Sequence, residues 1–225
     1  MEDELFNAVQ VAPSTKIRFK CTGCGACCRH VKEGVPVNSL DVFYLTKHLR
    51  DIGLDIGCTD EFLAQFATVA LLDDCGYFVY FLESVGEDDS CIFLNESRCS
   101  VQAAKPMACQ LYPFMVEPHK SGVFRYLYSR EWEHHFCGPV VETRSWMKKY
   151  FQQEARTFMQ TDFADTVPIA RLLRSIPEHR KKKALFHFHR LRYSEFDLDR
   201  PFLEQFQQNQ RRLLAILGRM AEEMK

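Results

Sequence analysis

Apolar and polar positions alternate in three different textures along this chain. Leu40, Phe43, Leu45, Leu49 and Ile52 fall on one side of a helix over Leu40 to Asp51, with Ser39 placed to cap its start and Gly53 to stop it. A second helix is predicted after Asp60, where Phe62, Leu63, Phe66, Val69 and Ala70 recur at amphipathic spacing. From Tyr77 the period shortens. Aromatic and β-branched runs at 77–82, 91–94 and 123–128 read as strands, broken by turn-forming residues at 86–90, 95–97 and 119–122. Their connections are too short for parallel crossovers, so the expectation is a small antiparallel sheet. Beyond Pro139 the chain becomes helical, with the longest patterns running from Val140 to about Thr161 and from Asp199 to Met224. The second of these is opened by Asp199 and Pro201 and striped by Phe202, Phe206, Leu213, Leu214, Leu217 and Met220. The fold class expected is α+β with a predominantly helical C-terminal part.

The first 35 residues or so show little period, and they hold the chain's densest chemistry. Cys21, Cys24, Cys27 and Cys28 lie within eight residues. A looser set follows at Cys91, Cys99, Cys109 and Cys137. Thiolates are soft ligands for zinc or iron–sulfur clusters, and a two-residue spacer lets successive sulfurs turn onto one centre. Gly23 and Gly25 suit such a loop, since glycine accepts positive φ and leaves room for backbone to approach the sulfurs.

Composition narrows the alternatives. The chain has 225 residues, 46% of them apolar and nineteen of them phenylalanine, enough for one substantial core. With 29 basic against 30 acidic residues, no overall field draws it to nucleic acid or anionic membrane. The acidic start, Met1-Glu2-Asp3-Glu4, lacks the positive and apolar regions of an export signal, and no run of about eighteen apolar residues is present to span a bilayer. A cytoplasmic location without membrane attachment is therefore expected. There thiols stay reduced, and ten cysteines read as metal ligands or core residues rather than as a disulfide framework.

The spacing of Cys21, Cys24 and Cys27 is that of a bacterial ferredoxin loop, but the position where the next ligand would stand is Val31. A further sulfur must come from Cys28, Cys91, Cys99, Cys109 or Cys137. In an extended backbone Cys27 and Cys28 would point in opposite directions, one to the centre and one elsewhere. The C-x3-C-x2-C loop of radical S-adenosylmethionine enzymes is absent, as are paired zinc knuckles, dinucleotide and Walker loops and the G-x-S-x-G elbow.

The segments Phe19 to Cys28, Cys91-Ile92-Phe93-Leu94, Cys99, Lys105-Pro106-Met107-Ala108-Cys109, Tyr112-Pro113-Phe114 and Cys137-Gly138-Pro139 resemble the CxxCxxCC cysteine-cluster family of zinc- or iron-chelating proteins. The run from Val37 to Leu45 looks like the helix that follows the first cluster in that family. The resemblance covers roughly residues 17 to 140. It departs at Lys105-Pro106, where the family usually has Arg-Pro, so a two-pronged guanidinium contact is not available there. The family's best-characterised relatives, flagellin lysine N-methylases, are similar in the cysteine cluster but longer, and they are associated with an iron–sulfur centre and S-adenosylmethionine.

Together these readings predict a cysteine-cluster metal-binding domain over 1–140, stapled by metal, with a helical extension over 141–225 packed on it as one compact unit. The leading expectation is a [4Fe-4S] iron–sulfur cluster on Cys21, Cys24 and Cys27 with one or more of Cys28, Cys91, Cys99, Cys109 and Cys137. A structural Zn2+ module that docks a protein partner is the first alternative. A methyltransferase-like enzyme, which the resemblance implies, is the second. His30, His134 and His135 stand near cysteines but read as surface or packing residues, and Cys58 and Cys75 as small core residues. The basic stretch 180–192, with Arg180, Lys181, Lys182, Lys183, Arg190 and Arg192, reads as a solvated helix face. An anionic partner is its alternative, with nucleic acid not favoured.

Overall fold

The computed structural model of the chain describes residues 8–129 and 138–222. Twelve short strands and seven helices follow one another among these residues. The strands near the N-terminus are β1 (Ala8–Val11), β2 (Lys16–Arg18) and β3 (Pro36–Val37). Helices α1 (Ser39–Asp51) and α2 (Thr59–Phe66) come next. They are followed by β4 (Ala67–Leu71), β5 (Phe78–Leu82), β6 (Ser84–Val85), β7 (Ser90–Cys91), β8 (Leu94–Asn95) and β9 (Arg98–Cys99). After α3 (Met107–Leu111) the hairpin β10 (Phe114–Pro118) and β11 (Phe124–Ser129) turns at His119 to Val123. The last part holds β12 (Val140–Glu142), α4 (Thr143–Tyr150), α5 (Gln153–Ser175), α6 (Glu178–His189) and α7 (Phe202–Glu222).

All pairings are antiparallel, as expected, but the strands form several small sheets rather than one. The described residues hold the sheets β1-β11-β10 and β3-β5-β4 and the pairs β12-β2, β6-β7 and β8-β9. Three apolar clusters lie against them. The largest joins Val37, Phe62, Phe78 and Leu82 to Leu173, Phe188, Leu213 and Leu217, so the sheet β3-β5-β4 and the C-terminal helices share one core. The second is phenylalanine-rich, with Phe43, Phe158, Phe202 and Phe206. The third, Met107, Leu111, Phe114, Met147 and Phe151, packs with Val11, Phe124 and Tyr126 of the sheet β1-β11-β10.

Several boundaries differ from the sequence reading. Asn38, not Ser39, caps α1: its side chain accepts the Asp41 amide at 3.0 Å while Asp41 accepts the Asn38 amide at 3.3 Å, a reciprocal box. Gly53 does end the helix, at φ 93. Cys58 precedes α2, and Asp60 lies in its first turn, bonded to His189 and Ser194. The helix stops at Phe66, because Thr68 and Val69 pair instead with Phe81 and Tyr80 of β5. The predicted helix over 140–161 is three elements: Val140 to Glu142 pairs with β2, and the chain breaks again between Tyr150 and Gln153. Helix α5 then runs through Pro168 to Ser175, held by buried Phe158, Ile169 and Leu173. Helix α7 starts at Phe202, three residues after Asp199, whose carboxylate is paired with Arg50 at 2.7 Å.

The basic stretch does not form one face. After α6 the backbone widens into a π-helical turn, Arg190–Ser194, which turns Arg192 into the core at 4% exposure. There Arg192 pairs with Asp162 at 2.6 Å and its guanidinium lies over the rings of Tyr77, Phe188 and Tyr193. Lys181 donates to the Leu173 carbonyl at the end of α5, and Arg190 pairs with Glu195 at 2.6 Å. Lys182 and Lys183 remain exposed.

Candidate metal centre

The cysteine loop between β2 and α1 is placed from both ends. Phe19 is buried, its amide bonded to the Pro139 carbonyl and its ring edge-on to Tyr112 and Trp146 at 5.6 and 5.5 Å. Trp146 in turn donates to the Leu111 carbonyl at the end of α3 at 3.0 Å. At the other end, His30 and Val31 donate their amides to the carbonyls of Asp88 and Asp89, and Arg29 pairs with Asp88 at 2.5 Å. Those contacts tie the loop to the β6-β7 turn, and hence to Cys91.

Gly25 explains why the loop can lie so close. Its φ is 72, and a Cβ there would stand 2.9 Å from Leu94 Cδ1 and 3.0 Å from the Ser97 carbonyl oxygen. Only glycine allows both the left-handed backbone and this approach to the β8-β9 hairpin, whose last residue is Cys99. Gly23 has a similar φ of 69 with nothing within 4 Å.

Cys27 and Cys28 lie in a 3-10 turn, Ala26–Cys28, not in extended chain. Neighbouring side chains in such a turn diverge by about 120° rather than 180°. The two sulfurs therefore stand in contact, 3.9 Å apart, which corrects the expectation that they face opposite ways. Cys109 enters from α3, where Met107 and Leu111 face the third apolar cluster and Cys109 packs against the first. The start of α3 is held by Asp41, whose Oδ1 accepts the Met107 amide at 2.7 Å.

The structure thus brings Cys27, Cys91, Cys99 and Cys109 within electrostatic reach of one another, with Cys28 acted on by Cys27, Cys91 and Cys109, and Cys99 by Cys21. Cys24 lies in the exposed part of the loop. Cys137, His134 and His135 lie outside the described residues. Gly138, the residue after Cys137, packs against Lys20, the residue before Cys21. His30 is exposed, Cys75 is buried as expected, and Cys58 is only half-buried. Among the described residues no three Cys, His, Asp or Glu side chains stand positioned to hold a single ion.

The electrostatics show what these thiols lack. Burial pushes Cys109 far above the usual thiol range, and the sulfurs of Cys91, Cys27 and Cys99 add to it. Cys91 and Cys99 are raised for the same reasons. Within the contacting pair, the hydrogen bond between the two sulfurs lowers Cys27 and raises Cys28, with Lys105 assisting the former. A bound soft cation would reverse each of these penalties and take the thiolate, which is the chemistry that thiols opposing one another's ionisation lack. Among the described residues Lys105 is the one cation acting on Cys27, Cys99 and Cys109, a role with no local signal in the chain. Asp41 was hidden too: its capping box is written in Asn38 to Asp41, but its reach to Met107 spans 66 residues. Burial lifts its carboxyl to about 7, against the two amides that hold it down.

Neither the curated proteins nor the solved structures compared with this chain contain a match. No described helix is long and apolar enough to cross a membrane. A family model described as "Putative zinc- or iron-chelating domain" matches residues 20–138, just over half of the chain and the span from the first cysteine loop to the residue after Cys137, and the chain belongs to this CxxCxxCC family.

Proposed function

We propose that this protein binds its metal as an iron–sulfur cluster of the [4Fe-4S] type, with Cys27, Cys91, Cys99 and Cys109 as the ligands the packing favours. Cys28 then serves as a hydrogen-bond donor to the Cys27 sulfur, and Cys21, Cys24 and Cys137 are the further sulfurs of the same region. The observation that carries this reading is the donor set itself: mutually opposed thiols from the 3-10 turn, β7, β9 and α3, on which neither imidazole nor carboxylate acts among the described residues.

A cluster, unlike one zinc ion, does not need its sulfurs to converge on a single atom. Zinc–sulfur bonds of about 2.3 Å in a tetrahedron require sulfurs roughly 3.8 Å apart, all converging on a point. Cys27 and Cys28 have that separation at 3.9 Å, while the other three sense them from separate elements. A wider inorganic core can bridge such sulfurs. Bound there, it would supply one-electron redox capacity together with a tie between the loop, the hairpins and α3. A reducing compartment such as the cytoplasm keeps these thiols available.

Anaerobic purification followed by iron and acid-labile sulfide analysis tests the proposal, with a visible absorption spectrum alongside. Iron and sulfide in equal amounts, lost in the Cys109→Ser variant, are expected. Colourless protein with one zinc per chain and no labile sulfide would overturn it in favour of a structural zinc module.

A further inference from the structure

A second site lies away from the cysteines, in a cleft of about 470 Å³ between α4, the start of α5 and the β1-β11-β10 sheet. We propose that this cleft binds a phosphate-bearing small molecule. Three cations line it, Arg144, Lys148 and Arg156, and among the described residues no acidic one does. The remaining lining is Pro13, Tyr126, Met147, Phe151, Gln152 and Gln153.

Arg144 and Lys148 stand four residues apart on α4, so two like charges share one helix face and repel each other. Neither has an ion-pair or hydrogen-bond partner for its side chain among the described residues. Glu154, the nearest acidic residue in the chain to Arg156, is engaged elsewhere, accepting the Tyr44 hydroxyl at 2.7 Å. The repulsion is thus uncompensated among the described residues, and an anion in the cleft would relieve it.

Arg156 is held ready for such a ligand. Its Nε donates to the Phe151 carbonyl at 2.8 Å, and its guanidinium lies over the Phe151 and Phe124 rings at 4.6 and 5.7 Å. That fixes the plane of the fork, while its two terminal nitrogens bond to nothing among the described residues. Oriented guanidinium is suited to the paired oxygens of a phosphate. Helix α5 adds to this, because it begins at Gln153 in the wall of the cleft and no side chain caps it. Gln152 and Gln153, where this 23-residue helix begins, line the cleft, so the positive end of the helix adjoins it. A phosphate monoester offers two charges and three oxygens to these donors, whereas a carboxylate offers one and two. The concave shape suits a small molecule rather than a polymer.

Isothermal titration of the metal-loaded protein at low salt tests the assignment, with inorganic phosphate, adenosine monophosphate and acetate as separate probes. Saturable binding of phosphate or the monophosphate is expected, with affinity reduced about tenfold or more in R144Q/K148Q. Both substituted residues are exposed, so the variant should keep the metal content and circular dichroism of the parent. R156K retains the charge but loses the fork, and should weaken phosphate more than it weakens acetate. Tighter binding of the monophosphate than of phosphate would assign the organic part to the cleft as well; equal binding would make the phosphate group sufficient. Acetate binding as tightly as phosphate, affinity unchanged in R144Q/K148Q, or no saturation at millimolar probe would each overturn the proposal.

Discussion

Alanine at the two glycines of the cysteine loop should have unequal consequences, although their backbones are nearly the same. Gly23 and Gly25 sit at φ 69 and 72, so each substitution forces an L-residue into the left-handed region at about 1–2 kcal/mol. The loss of chain entropy in the unfolded state is the same for both and cancels in the difference. What remains is space. A methyl at Gly23 meets nothing within 4 Å, whereas one at Gly25 meets Leu94 Cδ1 at 2.9 Å and the Ser97 carbonyl at 3.0 Å. The leucine methyl can swing aside, but the carbonyl belongs to the turn of the β8-β9 hairpin and moves only with it. Overpacking of that kind adds about 1–3 kcal/mol, so G25A should be the less stable by that margin. Moving the hairpin also carries Cys99 away from Cys27 and Cys28, so metal content should fall with it. Urea denaturation and metal analysis of the two variants, prepared identically, give both quantities. Equal stability and equal metal content in G23A and G25A would refute the claim that this contact places the loop.

Three further outcomes follow from buried or crowded groups. Asp41 ionises near 7 when folded because burial disfavours its charge, against an ordinary value near 4 when unfolded. The folded state therefore holds the proton between these limits and its stability falls as pH rises from about 4 to about 7; D41N should flatten that part of the stability profile in urea titrations. In metal-free protein, Cys27 should be alkylated ahead of Cys28, Cys91, Cys99 and Cys109, because its thiolate alone is favoured, and mass mapping after brief iodoacetamide treatment reads the order. R192A removes the buried partner of Asp162 and should cost about 3 kcal/mol in thermal or urea unfolding, while R192M/D162N should recover part of the loss.

Period and punctuation carried the helices that bury one clear stripe. Helix α1 is legible because Leu40, Phe43, Leu45 and Leu49 repeat correctly, and its cap moved only because Asn38 and Ser39 can both serve. Strand β4 was hidden because Val69 and Ala70 also continue the phase of α2, and only pairing with Tyr80 and Val79 of β5 decides the matter. Val140 to Glu142 was misread as helix for a similar reason, since its partner strand β2 lies more than 120 residues earlier. Spacing singles out the candidate thiols, but their grouping could not be read from it. Cys91, Cys99 and Cys109 come from three separate elements, and what gathers them is Gly25 against Ser97, Arg29 against Asp88 and Asp41 against Met107, none of them a local signal. Arg192 fails from the opposite direction: within a basic run it looks solvated, and only the π-helical turn sends it inward.

The distribution of burial says how the metal and the fold depend on each other. Within residues 20–30 only Gly25 is buried, so this loop has almost no apolar surface with which to offset the entropy of ordering it. The partners it meets are better anchored. Cys91 belongs to the main core, Cys99 packs at its margin, and α3 sinks Met107 and Leu111 into a core of its own. With the proposed ligand set, metal binding would not create the domain as it does in an isolated zinc finger. It would close a weakly held loop onto a frame that the apolar clusters already define, adding its free energy to the few polar ties at Asp88, Glu96 and Pro139 that hold the loop in register. On that frame α4 occupies a pivotal place: Trp146 braces Phe19 and the Leu111 carbonyl behind the cysteine loop, while Arg144 and Lys148 on the same helix line the basic cleft.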